Sequence, residues 1–125
     1  MKVISTDKAP AAIGPYSQAM VTGSLVYTSG QIPLDPVTGA VAGEDIVSQT
    51  EQVIANLKAV LEAAGTDLTK VVKTTCFLKN MGDFAVFNGV YAKHFTGNPG
   101  RSCVEVSALP KGVLVEIEAV AELDR

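Results

Sequence analysis

The sequence predicts an α+β fold: a mixed β-sheet with two α-helices packed on one face. Apolar side chains recur at helical spacing in two stretches, 45–64 and 84–95, and β-branched or alternating runs lie before, between and after them. The elements therefore follow as β-β-α-β-α-β-β, strands grouped around helices rather than in strict βαβ alternation. No Gly-rich phosphate loop joins a strand to a helix, which sets the chain apart from doubly wound nucleotide-binding folds.

The first two strands are read at 18–21 and 25–28, with Thr22-Gly23-Ser24 between them as the turn of a hairpin. Asp35-Pro36-Val37-Thr38-Gly39 reverses the chain again, Pro36 presetting φ and Gly39 closing the bend. From Asp45 to Ala64 the residues Ile46, Thr50, Val53, Leu57, Val60, Leu61 and Ala64 form one face of a helix, and Gly65 lies just past its end. Asp45 and the capping-box pattern Ser48-Gln49-Thr50-Glu51 are alternative starts.

Val71 to Leu78 is rich in β-branched residues and reads as a strand, and Asn80-Met81-Gly82-Asp83 reads as a turn ending in an N-cap. The next helix carries Phe84, Phe87, Tyr91 and Phe95 as an aromatic stripe, expected to be core. Two final strands, 101–106 and 113–122, are joined by Ser107 to Gly112.

At 125 residues the chain is read as one domain, 1–125, able to build a core without disulfide or metal staples. Apolar residues at 47% against 18% charged predict that some surface is buried between subunits. No segment approaches the roughly 20 apolar residues of a membrane span, and the N-terminus lacks a secretory h-region, so a cytoplasmic protein is expected. Cys76 and Cys103 sit in strand-like runs and are expected as free thiols. A net charge of −3 and the lack of any Lys/Arg cluster argue against nucleic-acid binding.

The two-residue period of 101–106 puts Arg101, Cys103 and Glu105 on one face. In the last strand, Val113, Val115, Ile117, Ala119 and Ala121 form the apolar face and Glu116 points the other way. If these two strands pair as a hairpin, a carboxylate comes near an arginine and a thiol. An arginine fork matches a substrate carboxylate, and a desolvated glutamate serves as acid and base; the residues alone leave open a surface Arg101 and a solvated Glu116.

Cys103 lacks an activating base, because the only histidine, His94, lies on the aromatic helix with no evident orienting partner. Cys103 is therefore read as packing or pocket lining and Cys76 as a small buried hydrophobe. One His and two distant Cys give no metal-ligand spacing, so no metal is expected.

Six segments, in order, are Ala12 to Ala19 (with Gly14-Pro15-Tyr16), Thr28-Ser29-Gly30-Gln31-Ile32-Pro33, Val72 to Thr75, Arg101 to Val106, Ala108-Leu109-Pro110-Lys111 and Val115-Glu116-Ile117-Glu118. Together they resemble the reactive-intermediate deaminase family (RidA/YjgF/YER057c/UK114) nearly end to end. The resemblance implies a chorismate-mutase-like fold, a homotrimer with clefts between subunits, and hydrolysis of 2-imino acids and their enamine tautomers to 2-keto acids and ammonia without a cofactor. It further implies that Arg101 clamps the substrate carboxylate, that Glu116 positions water and shuttles protons, and that Cys103 lines the pocket without covalent attack. Tyr16, Ser29, Gly30 and Asn88 match the family's remaining cleft residues. Gly100 departs from the pattern, standing where relatives carry a small residue with a Cβ.

Overall fold

A computed structural model of the chain describes residues 1–123. Its strands are β1 (Lys2–Ile4), β2 (Ala19–Thr22), β3 (Leu25–Thr28), β4 (Val71–Leu78), β5 (Gly100–Glu105) and β6 (Val115–Glu122); its α-helices are α1 (Ile46–Ala64) and α2 (Phe84–His94). The strands form one mixed sheet in the order β1-β2-β3-β6-β4-β5, antiparallel throughout except for β4 beside β5. The α+β class holds, and one strand joins the expected set: β1 is three residues long, too short to display alternation, and exists by pairing with β2.

Helix α1 starts at Asp45, whose carboxylate accepts the Ser48 backbone N–H at 2.8 Å and the Ser48 hydroxyl at 2.8 Å, which settles the choice of start. It ends at Gly65, in the left-handed region at φ 92°, from which backbone N–H bonds return to the last turn. Its buried stripe of Val53, Ile54, Leu57, Val60 and Leu61 packs on the alternating face of β6, Val115, Ile117, Ala119 and Ala121. Each large side chain so buried contributes about 1.5–3 kcal/mol. Two buried amides in this layer have partners, while the Thr50 hydroxyl has none: Asn56 donates to the carbonyls of Ile32 and Leu34, and Gln49 accepts the Leu114 N–H and donates to the Gly43 carbonyl.

The N-cap expected at Asp83 is absent. Met81–Asp83 form a 3₁₀ turn, Asp83 has helical dihedrals, and its side chain makes no capping bond. Glu105, at the end of β5, accepts the Met81 N–H at 2.7 Å instead and fixes this turn from outside. Phe87, Tyr91 and Phe95 are buried as expected, with the rings of Tyr91 and Phe95 stacked at 4.3 Å between centroids.

Two irregularities of the sheet decide where polar side chains meet. The final strands do not form a hairpin, because β4 inserts between them: β5 pairs with β4 in parallel, and β6 pairs with β4 and β3. After β3 the chain rejoins β6 one residue out of step. Tyr27 opposes Val120 but Gln31 opposes Ile117, so Ser29 and Gly30 sit in a bulge, and the Thr28 hydroxyl accepts the Ala119 N–H.

Candidate functional site

The expected site residues fall into two groups on opposite faces of the sheet. Cα pairing sets Arg101 beside Thr74, Cys103 beside Cys76 and Glu105 beside Leu78, the face that the helices cover. Glu116 pairs with Phe77 and Glu118 with Thr75, on the face without helices. The hairpin that would have joined Arg101, Cys103 and Glu116 is thus corrected: the two-residue period places each side chain properly along its strand, but β4 between the strands separates them.

On the helix side, Arg101 Nη1 donates to Asn88 Oδ1 at 2.7 Å, and the guanidinium lies over two rings of α2, 4.9 Å from the Tyr91 centroid and 5.4 Å from that of Phe84. Asn88 and Tyr91 are three residues apart and Phe84 and Asn88 four, so one helical face presents all three. A cavity of about 430 Å³ opens here between α2, Asn98, Pro99 and Arg101. No carboxylate pairs with Arg101 among the described residues. Cys103 lies beneath, half-buried, and burial raises its thiol pKa more than the nearby Arg101 lowers it. Cys76 is fully buried and its pKa is pushed up to about 12, again by burial. Neither is a thiolate at neutral pH.

On the other face the bulge brings the Gly30 backbone against the Glu116 side chain, and a Cβ built on Gly30 would overlap the carboxylate. Ser29 ties this bulge to the N-terminal loop: its hydroxyl donates to the Ser17 carbonyl at 2.6 Å and its N–H to the Gln18 carbonyl at 2.9 Å. Gln18 anchors the rest of that loop, accepting the Thr6 N–H and donating to the Thr6 and Pro10 carbonyls. Tyr16 sits on that loop, and Tyr16, Ser29, Gly30, Pro110, Glu116 and Glu118 share a cavity of about 490 Å³. Burial, and secondarily Glu118, raise the Glu116 pKa above its ordinary value of 4.5. The carboxylate is half-buried, partly withdrawn from water rather than freely solvated.

The structure adds residues that the sequence does not single out. Phe84 and Tyr91, expected only as core, also carry the guanidinium; Thr74, fully buried, bonds the Tyr91 hydroxyl. His94 does have a partner: its Nε2 lies 2.6 Å from Glu51 Oε1, with Lys93 on the other carboxylate oxygen at 3.0 Å, and both hold the Glu51 pKa down. That pairing spans α1 and α2 and leaves no mark in periodicity, since the two residues are far apart in the chain. Among the described residues no three His, Cys, Asp or Glu side chains converge as a metal site, and no helix is long and apolar enough to cross a membrane.

The chain matches the family model described as endoribonuclease L-PSP over residues 6–123. It is similar to the 2-iminobutanoate/2-iminopropanoate deaminase of Salmonella typhimurium, 55% identical over 124 residues covering 96% of each chain. Its fold is that of the conserved Rid family protein YyfA from Yersinia pestis, at TM-score 0.95 and 52% identity over 98% of each chain. It is equally that of E. coli TdcF with bound serine, at TM-score 0.94 and 44% identity over 99% of this chain and 100% of the other.

Proposed function

This chain belongs to the endoribonuclease L-PSP family, to which Rid and YjgF proteins belong, and on that footing we propose that it hydrolyses reactive 2-imino acids and their enamine tautomers to 2-keto acids and ammonia. The observation that carries the reading is the state of Arg101. Neutral groups, Asn88 and two aromatic rings, hold its guanidinium in place, and no acid of the described chain neutralises it. A cation oriented in this way is prepared for a planar carboxylate from outside the chain. The deaminase name of the Salmonella relative and the serine bound to TdcF agree with a small carboxylate ligand.

Arg101 and Glu116 act together only if a second copy brings its helix-side edge to the Glu116 cavity, because within one chain the sheet separates them. The proposed working unit is therefore a cytoplasmic homotrimer of single-domain subunits, 1–125, with clefts between copies. The half-uncovered sheet supports this: Val3, Tyr27 and Val104 are exposed at 60%, 45% and 44%, a large apolar loss for a lone subunit.

In the cleft, Arg101 of one copy fixes the substrate carboxylate, and Glu116 of the next takes a proton from water as its oxygen bonds to the imine carbon. The electron pair of the C=N bond moves to nitrogen, which takes that proton back from Glu116 and leaves it ionised. The carbinolamine then returns its hydroxyl proton through Glu116 to the amine, and ammonia leaves with the C–N bonding pair as the keto group forms. A carboxyl group whose pKa is raised toward neutrality serves both transfers. Tyr16, Ser29, Gly30 and Asn88 shape and hold the two halves, and Cys103, a protonated thiol, lines the pocket. No cofactor or metal enters this scheme. The ribonuclease activity in the family description has less support here, since a net charge of −3 without a basic cluster does not favour a phosphate backbone.

The test generates 2-iminobutyrate in situ with an amino-acid oxidase and lets semicarbazide compete for it. Wild-type protein is expected to intercept the imine, and folded Arg101→Ala and Glu116→Ala variants to lose that ability. A folded wild-type oligomer that never competes with the trap contradicts the reading and favours a non-catalytic binder of small carboxylates.

A further inference from the structure

We propose that Thr74 and Tyr91 are positioning residues that preset the Arg101 clamp, Thr74 holding the Tyr91 hydroxyl so that the Tyr91 ring forms the bed for the guanidinium. The inference rests on Arg101 being a carboxylate clamp. Thr74 is fully buried on β4 and is the Cα partner of Arg101 on β5, so the anchor and the clamp sit side by side on the sheet. Its Oγ1 lies 2.7 Å from the Tyr91 hydroxyl in a buried pairing. The Tyr91 ring is fixed from a second side by Phe95, stacked at 4.3 Å, and presents its face to Arg101 at 4.9 Å. Phe84 approaches the same guanidinium at 5.4 Å, and Asn88 binds one of its nitrogens.

Packing alone does not explain this pair. Valine and phenylalanine would fill nearly the same volumes, and the Tyr91 ring packs against the apolar rings of Phe87 and Phe95. Two hydroxyls placed there cost desolvation; the short bond is the one they make to each other at 2.7 Å, and the Cys76 thiol reaches Thr74 Oγ1 only at 3.8 Å. Their bond restrains the tilt and height of the ring against the sheet, and a cation over a ring is sensitive to both. A guanidinium whose plane is set beforehand does not have to be ordered when the carboxylate arrives.

The pair also supplies its own control. Removing one hydroxyl strands the other, whereas removing both leaves an apolar pair of nearly the same shape, which is close to neutral for stability. The experiment compares wild type with Thr74→Val/Tyr91→Phe, and uses Thr74→Ser as the conservative variant. It reads KM and kcat for 2-iminobutyrate, Kd for 2-ketobutyrate, and the ¹⁵N order parameter of the Arg101 Nε–H in the free protein. The double variant is expected to keep its fold and a kcat within about twofold, while KM and Kd rise roughly 3- to 10-fold, the worth of one hydrogen bond. The order parameter should fall, whereas Thr74→Ser, which keeps the hydroxyl, should leave all three near the wild-type values. A double variant with unchanged Kd, KM and order parameter overturns the proposal. If the wild type neither turns over imine nor binds 2-ketobutyrate, the clamp reading fails; the order parameter still decides whether Thr74 and Tyr91 position Arg101.

Discussion

Gly30 has no side chain where Glu116 has its carboxyl group: a Cβ at position 30 would lie 2.9 Å from Glu116 Cδ and closer still to an oxygen. The bulge after β3 creates this approach by pushing Ser29 and Gly30 out of step with β6. Gly30 is not among the positive-φ glycines, so alanine is excluded by Glu116 and not by the backbone. Gly30→Ala is expected to displace the carboxylate by about an ångström and lower kcat/KM by on the order of 10- to 100-fold, with the circular dichroism spectrum and oligomeric state unchanged. Activity within twofold of wild type would show that Glu116 need not occupy this position.

Glu116→Gln separates catalysis from stability. The folded-state pKa of Glu116 is raised, so ionisation opposes folding; the cost is absent below its ordinary value of 4.5 and fully present once pH exceeds the folded value. The variant should lose about 10²- to 10⁴-fold in kcat. Its Tm should match wild type near pH 4 and exceed it by on the order of a few degrees at pH 8. The activity of the wild type should rise with pH along a limb above the ordinary carboxylate range, since water activation needs the ionised form. A Tm difference of opposite sign contradicts the desolvated state of this carboxylate.

Gln18 holds the loop that carries Tyr16 through both ends of its amide, and it is buried. Gln18→Leu keeps the volume but leaves the Thr6 N–H and the Thr6 and Pro10 carbonyls without their partner. Urea unfolding should show a loss of about 2 kcal/mol or more, and KM should rise because the loop that brings Tyr16 to the Glu116 cavity is no longer held. An unchanged unfolding midpoint would mean that water replaces the amide at no cost.

Cys103 carries a thiol whose pKa burial has raised, so its thiolate population at pH 7.5 is below that of a free cysteine. Iodoacetamide should alkylate it more slowly than glutathione, with the rate still climbing above pH 9. Cys103→Ala should retain kcat within a few-fold. Loss of turnover by 10²-fold or more would give the thiol a chemical part that its protonation state does not support.

The sequence displays what repeats locally. The α1 stripe, the Leu25 to Thr28 hairpin strand and the inward face of β6 follow from spacing alone, and so does the placement of Arg101 and Cys103 on one face. Long-range pairing is not legible: nothing in 101–122 announces that β4 lies between its two strands, and that insertion puts Arg101 and Glu116 on opposite faces. The bulge at Ser29 and Gly30, the Glu51–His94 pairing and the bond between Thr74 and Tyr91 join residues distant in the chain, so local periodicity carries no trace of them. The motif segments nonetheless mark Tyr16, Ser29 and Gly30, and the family resemblance adds Asn88 on α2; each lies beside Arg101 or Glu116 in one half of the site.

Catalysis as proposed depends on a shared site, with Arg101 from one copy and Glu116 from the next. A subunit-mixing assay checks this. Arg101→Ala and Glu116→Ala proteins, each inactive alone, are unfolded, mixed in equal amounts, refolded together and assayed for interception of 2-iminobutyrate. In a closed ring of randomly mixed subunits, roughly a quarter of the interfaces join an intact Arg101 to an intact Glu116. The refolded mixture is therefore expected to show about a quarter of the activity of refolded wild type. A mixture as inactive as its components, beside a wild-type control that recovers, would contradict the shared site.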